Sequence, residues 1–377
     1  MMEIVFWGSL FLTFFAYFGY PFSLFVLTKF RRKEVRKQEF FPEVSFIITA
    51  FNEEKRISAK LENTLKLVYP QEKLEVIVAS DGSTDRTEEI VMDYSGQGIA
   101  LLKVRQRGGK ENAQKEAVAA ANGEILVFSD VATMLEPHGL ASIVANFADP
   151  SVGCVSSEDR LIGRDGKPSG EGLYVRYEMA LRQLETQIYS VVGLSGSFFA
   201  ARAEVCRDFA TNLPSDFRTL LNSIKLGMRG ISDPDALGIY LDISDASREF
   251  NRKVRTVLRG ITAFFQHLEL LNPFKFKIFA YEYFCHKLLR WLVPVFMVLI
   301  YISNIFLIPE AFVYRVIFLL QNLFYLIGVI SIWKTDFNPG AVFKIPKYFL
   351  SVNISILYAW VKFLKGERMV MWTPSER

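Results

Sequence analysis

From Ile4 to Thr28 the chain carries no charged residue, and aromatic side chains recur along the whole run. A stretch of about twenty such residues crosses the hydrocarbon core of a bilayer as a helix. It opens on Met-Met-Glu, runs too long and lacks a small-residue cleavage site, so it reads as a spanning helix and not as a cleaved signal peptide. Pro21 lies inside it, where a kink is expected and tolerated. Lys29, Arg31, Arg32, Lys33, Arg36 and Lys37 follow at once. Such a basic cluster stays on the cytoplasmic side, which puts the region after it in the cytoplasm as well.

Two more uncharged runs, Trp291–Pro309 and Val316–Trp333, form a hairpin that leaves the cytoplasm and returns to it. The last run, Tyr348–Val361, is shorter, contains Asn353 and is flanked by Lys344, Lys347, Lys362, Lys365 and Arg368. An interfacial or re-entrant helix with the basic tail inside is expected there, in preference to the alternative of a full span, which would put that tail outside. Phe274–Arg290 mixes aromatic and basic residues, as a helix in the headgroup layer does. The expected organisation is therefore a transmembrane helix over 1–28, a basic linker over 29–41, and a catalytic domain over 42–262. An interfacial segment over 263–290, a hairpin over 291–333, and an interfacial or re-entrant helix with a basic tail over 334–377 complete it.

Composition narrows the function classes. A chain that is 51% hydrophobic is no disordered tail, and 44 basic residues set against 40 acidic ones do not make a nucleic-acid binder. Cys154, Cys206 and Cys285 are far apart, so neither a disulfide framework nor a cysteine zinc site is expected.

Between Pro42 and Thr262 the pattern changes to short apolar runs divided by polar, helix-like segments. Val44–Ala50, Leu74–Ser80, Ala100–Val104 and Ile125–Ser129 read as buried parallel strands. Glu53–Leu67, Thr84–Tyr94 and Gly109–Ala121 read as the helices between them. This alternation predicts a doubly wound α/β sheet, whose ligands bind beyond the carboxyl ends of the strands. Asn52 and Glu53 follow the first strand, Asp81 the second, and Asp130 ends the fourth, while Asp216 follows a Leu-Pro-Ser turn. A carboxylate-rich rim with basic residues nearby can hold a divalent metal and a diphosphate. No GxGxxG follows the first strand and there is no Walker A pattern, which leaves dinucleotide and P-loop chemistry unsupported. Each residue also has a plainer reading. Asp81-Gly82 is a common turn pair, Asp85 and Asp216 suit helix caps, and Asp130 suits a loop. Lys110 stands either at an anion site on a helix N-terminus or on a solvated surface.

FIITAFNEE, ASDGSTDRT, GGK, EILVFSD, LSGSFFAAR, PSDF and EFNRKVRT stand in the order found in family 2 glycosyltransferases. The chain resembles their membrane-bound branch, which includes cellulose and poly-N-acetylglucosamine synthase-like proteins. The resemblance covers about Val44 to Gly260. It implies the GT-A fold, a doubly wound mixed sheet, flanked here by transmembrane helices. It also implies inverting transfer of a sugar from a nucleotide-diphospho-sugar, UDP-linked by expectation, to a hydroxyl of a glycan or glycolipid at the inner cell membrane. Ala50, Asn52, Glu53 and Asp81 would hold the nucleotide, and Asp130 a divalent metal, Mn²⁺ or Mg²⁺. Asp216 would be the general base, and Lys110, Arg252 and Arg255 would face the diphosphate. The implied partners are the donor, a glycan or lipid acceptor, the bilayer, and secretion or assembly subunits.

Two departures from that pattern matter. Ala132 holds the third position of the family's DxD motif, and the QxxRW element of processive synthases is missing. A polyprenyl-phosphate sugar transferase and a non-catalytic subunit of the same fold are the alternatives.

In the basic segment, Phe250, Val254, Val257, Leu258 and Ile261 fall at helical spacing. Arg252, Arg255 and Arg259 lie on another side, to meet either the diphosphate or lipid headgroups.

Overall fold

In the computed structural model, residues 1–163, 173–209, 211–241, 246–333 and 341–368 are described. Segments 334–340 and 369–377 of the expected C-terminal region lie outside them. In chain order the main elements begin with α1 (Met2–Phe30), β1 (Val44–Ala50), α2 (Ile57–Leu65), β2 (Leu74–Ser80) and α3 (Thr87–Asp93). Next come β3 (Ile99–Lys103), α4 (Lys110–Ala120), β4 (Ile125–Asp130), β5 (Met134–Leu135), α5 (Gly139–Ala145) and β6 (Val152–Ile162). Then follow α6 (Leu173–Ile188), β7 (Phe198–Arg202), α7 (Ser215–Lys225) and β8 (Arg229–Leu241). The last are α8 (Ala246–Gln266), α9 (Ile278–Leu307), α10 (Phe312–Trp333) and α11 (Ala341–Leu364).

The chain divides into two units. Met1–Phe25 with Asp245–Arg368 forms one, and Val26–Ser244 the body of the other.

The second unit is built on a mixed sheet of order β3-β2-β1-β4-β7-β6-β8-β5. β3, β2, β1 and β4 are mutually parallel, as their apolar runs predict, and β7 joins β4 antiparallel. Every residue of β1 is buried, because helices cover both faces. Phe46, Ile48, Val76, Val78 and Val127 pack with Ile57, Leu61, Val91, Leu140 and Ile143 from α2, α3 and α5. On the other face, Phe128 stacks on Phe199 at 4.6 Å between ring centres. Ala50 is paired with Ser80, and Thr49 with Asp130. That register brings the ends of three parallel strands level, and it is what assembles the site.

The basic linker belongs to this unit and is partly consumed by it. The fully buried Arg229 donates to the carbonyls of Lys33 at 3.2 Å and Glu34 at 2.9 Å, and pairs with Asp149 at 3.2 Å. Lys37 bridges Asp233 at 2.9 Å and Asp235 at 2.7 Å. Not all of the cluster is thus left to meet lipid.

In the first unit, α1, α9 and α10 are, among the described residues, the helices long and apolar enough to cross a membrane. The chain is therefore a multi-pass membrane-anchored protein, with its larger domain between the N- and C-terminal apolar helices. A π-helical turn over Phe15–Gly19 just precedes Pro21. Proline offers no N–H and crowds the turn before it, so the ladder widens there without ending the helix. Phe6 of α1 packs with Ile300, Leu307 and Tyr314, and the Tyr314 hydroxyl donates to Glu3 at 2.9 Å. The helix expected over Phe274–Arg290 is divided at Lys277, and from Ile278 it continues into the long apolar helix α9. The apolar stripe of α8 is buried at Val254, Leu258 and Ile261. α11 packs on α10, where Gly328 lets Leu350 approach closely, and the Trp360 indole donates to the Trp291 carbonyl at 2.8 Å.

Candidate active site

At the carboxyl end of β1 the backbone turns through Asn52, whose φ of 52° is a left-handed conformation that asparagine tolerates. Its side-chain oxygen accepts the Thr84 amide at 2.8 Å, joining this turn to the one after β2. Asp85 accepts the amides of Glu54 and Thr87, each at 3.0 Å, and so serves the turn and the start of α3. Ala50 is fully buried, and its carbonyl accepts the Asp81 amide at 2.9 Å. Glu53 is held by Arg56 through two hydrogen bonds of 2.7 and 2.8 Å. Burial pushes its carboxyl up from the ordinary range, while the Arg56 charge opposes that rise.

Asp81 is fully buried, and its two carboxylate oxygens accept the amides of Gly108 and Gly109 at 2.9 Å. Gly109 has φ near 92°, open to glycine without strain, which allows both amides to face one carboxylate. The aspartate expected at the nucleotide therefore also fixes the lysine-bearing turn. Arg107, in the same turn, lies over the Phe51 ring at 3.8 Å. A cavity of about 460 Å³, lined by Arg105, Arg107, Gly108 and Asn112 among others, borders the turn.

Lys110 opens α4 but does not point into solvent. It is 7% exposed, and its ammonium donates to Asp130 Oδ1 and to the Gly196 carbonyl at 2.8 Å. The solvated-surface reading of Lys110 is corrected here: the turn held by Asp81 aims the side chain across the strand ends. Gly196 also approaches Asp216, since a β-carbon built at the glycine would stand 3.5 Å from the aspartate Oδ2. Asp216 occupies the first turn of α7, and Pro214 holds the cap position. The loop between Lys110 and Asp216 is itself fixed. Asp159 accepts from Ser195 at 2.6 Å and Ser197 at 2.9 Å, and the Asp130 amide donates to the Ser197 carbonyl at 2.9 Å.

Behind Asp130 lies Lys60, fully buried, donating to Ser129 Oγ at 2.7 Å and the Thr133 carbonyl at 2.6 Å. Burial lowers its pKa from 10.5 to about 7, with the charge of Asp130 opposing the fall. Sequence reasoning passed over Lys60, Arg107 and Asp159. Of these only Lys60 left a signal, because Ile57, Lys60, Leu61 and Thr64 share one face of α2 and all four are buried.

The structure thus gathers Asn52, Glu53, Asp81, Lys110, Asp130 and Asp216 on the second unit. Arg252 and Arg255 lie on α8, in the first unit. Among the described residues no three His, Cys, Asp or Glu side chains group to hold a metal. The donor set still fits a hard divalent ion of the kind that takes one carboxylate from the protein and its other oxygens from phosphates and water. The carboxylate that such an arrangement would use is Asp130, whose side chain is 28% exposed at the rim.

Known proteins fit this description. Residues 45–209 match the family model described as "Glycosyl transferase family 2". The poly-beta-1,6-N-acetyl-D-glucosamine synthase of Staphylococcus epidermidis is 27% identical over 143 residues, which are 37% of this chain and 33% of that protein. A probable glycosyltransferase of Bacillus subtilis, YdaM, is 32% identical over 127 residues, which are 32% of this chain and 30% of its own. The chain thus spans about a third of the length of the curated relatives it matches. The mannosyltransferase PcManGT from Pyrobaculum calidifontis, solved in complex with GDP-Man and Mn²⁺, superposes with a TM-score of 0.74 at 21% identity. That match covers 98% of this chain and 100% of the other, and it establishes the fold. With strand ends, turns and sheet order all in agreement, residues 45–209 are similar to glycosyl transferase family 2, and the chain adopts the GT-A-like fold.

Proposed function

We propose that this protein is an inverting glycosyltransferase that moves a sugar from a nucleotide-diphospho-sugar to a hydroxyl of a glycan or glycolipid acceptor at the cytoplasmic face of the membrane. The observation that carries this reading is the convergence of Asp130, Lys110 and Asp216 around Gly196 at one end of the sheet. A cation suited to an anion and a carboxylate suited to a base then stand on either side of one glycine.

The residues divide the chemistry between them. Asp216 accepts the proton of the acceptor hydroxyl as its oxygen attacks the anomeric carbon, which makes a poor nucleophile competent. The bond from that carbon to the diphosphate breaks on the opposite side, which inverts the configuration. A divalent ion, Mn²⁺ or Mg²⁺, held by Asp130 and the donor's phosphates would supply positive charge for the departing diphosphate. Lys110 stands at the same strand end and donates to the phosphate oxygens. Asn52, Glu53 and the buried Ala50 and Asp81 shape the turns around the nucleotide. Arg252 and Arg255 are assigned to the diphosphate on the strength of the family resemblance. The name of the Staphylococcus epidermidis synthase supports an N-acetylglucosamine donor, with UDP the nucleotide expected from the family resemblance, and the Pyrobaculum calidifontis enzyme supports a GDP-linked mannose.

A second reading, transfer to a polyprenyl phosphate, draws on one feature of the first unit. Pro294, Tyr301, Tyr325, Leu350, Asn353 and Leu357 are among the residues lining an apolar cavity of about 320 Å³ between α9, α10 and α11. Such a cavity suits a lipid chain.

Membranes containing the full chain, given radiolabelled UDP- and GDP-sugars, test both readings. A labelled glycan or glycolipid supports the first. A labelled monosaccharide that is extracted with lipid and released by mild acid supports the second. No transfer from any donor contradicts the assignment.

A further inference from the structure

Lys110 and Asp130 form an ion pair at the place where a donor's diphosphate is expected. The lysine side chain is 9% exposed, and its ammonium also binds the Gly196 carbonyl, so it is locked in by two elements besides its own helix. Ala132, two residues beyond Asp130, has no ligand atom to offer. In the donor-free protein a divalent ion approaching Asp130 therefore meets an ammonium already in contact with the one carboxylate this turn provides.

An ammonium donates hydrogen bonds and accepts none, so it cannot share a carboxylate oxygen with a metal without like-charge repulsion. A diphosphate removes the conflict. Its oxygens accept from the ammonium and ligate the ion at the same time, and they bring the negative charge that a single aspartate lacks.

We propose that Lys110 is the resident cation of Asp130, and that a divalent ion enters only together with a diphosphate, which draws the lysine ammonium off the aspartate as it binds. Lys110 is then a positioning residue with two successive partners, the carboxylate before donor binding and the phosphate after it. The loss of the third DxD ligand at Ala132 is tolerable in such a site, because no metal is stored there between turnovers. This inference rests on the donor-site reading given above.

The test is Mn²⁺ binding by the purified full chain in detergent, followed by calorimetry and by the electron paramagnetic resonance signal of the free ion, with no nucleotide present. The wild-type protein should bind Mn²⁺ weakly. Lys110→Met should bind it about tenfold more tightly, because the carboxylate is released. The gain should vanish in Lys110→Met/Asp130→Asn. Lys110→Met should also bind UDP or GDP with Mn²⁺ about tenfold more weakly than wild type, since a charge-assisted phosphate contact is gone. Tight Mn²⁺ binding by the nucleotide-free wild-type protein overturns the proposal without any variant, and so does a Lys110→Met protein that binds Mn²⁺ no better than wild type. A gain that survives in the double variant places the ion elsewhere and also overturns it. Failure of the donor site itself has a separate signature, no binding of UDP, GDP, CDP or TDP by wild type under any metal condition.

Discussion

Asp81 and Gly109 are joined by a 2.9 Å hydrogen bond from the glycine amide to a fully buried carboxylate, and Gly108 donates to the other oxygen at the same distance. The end of the second strand thereby fixes the turn that launches Lys110. A residue read from sequence as a ligand-binding aspartate is also a structural anchor for the cation of the site.

Replacing Asp81 with Asn keeps the shape but confronts one of the two amides with an NH₂ group. The cost should be about 1.5–3 kcal/mol, the range for hydrogen bonds to a charged partner. Limited trypsin digestion should then cut faster at Arg105 and Arg107, which flank the anchored turn. An unchanged unfolding midpoint with an unchanged cleavage rate would show that the anchor contributes nothing.

Asp216→Asn removes the proton acceptor and little volume. Turnover should fall by about 10²–10⁴-fold, with nucleotide affinity nearly intact. Steady-state kinetics paired with calorimetry separate the two quantities. Near-normal turnover would move the base to another residue.

Lys60 makes stability depend on pH in a defined direction. Its pKa falls from 10.5 to about 7 on burial. Below about pH 7 both folded and unfolded chains carry the charge, and the folded one bears the full penalty. Between about pH 7 and 10.5 the unfolded chain holds a proton that the folded chain has released, so this group adds stability as pH rises. The span corresponds to at most roughly 5 kcal/mol. Lys60→Met should flatten the rise in unfolding temperature between pH 7 and 10, as scanning fluorimetry would record. A wild-type profile already as flat as that of the variant would mean the ammonium is well compensated.

The sheet was legible because buried parallel strands are short, continuous and β-branched, and Val44–Ala50 and Leu74–Ser80 appear with the bounds their apolar runs predict. The strand-end residues followed from topology, since parallel strands in register deliver their next residues to one edge. What could not be read was how those residues are spent. Lys110 was expected in solvent or at a phosphate, and only the folded chain brings the Gly196 carbonyl to it across 86 positions of sequence. Arg229 hides in the same way, because its ion-pair partner Asp149 lies 80 residues upstream and two of the carbonyls it binds lie nearly two hundred residues upstream, in the linker. Lys60 is different. Helical periodicity places it among Ile57, Leu61 and Thr64, so its burial was available from spacing alone. Arg252 and Arg255 show the limit of reading by resemblance, because a matching segment fixes no distance to the sheet.

The central claim is a nucleoside diphosphate site whose affinity depends on a divalent ion at Asp130. The direct measurement is calorimetric titration of the detergent-purified chain with UDP, GDP, CDP and TDP, in Mn²⁺ and in EDTA, for wild type and Asp130→Ala. The account predicts that one diphosphate binds in Mn²⁺, that EDTA weakens it, and that Asp130→Ala lowers the Mn²⁺ value to the EDTA value. Equal loss on Asp130→Ala in Mn²⁺ and EDTA, or no binding of any nucleotide, would contradict it.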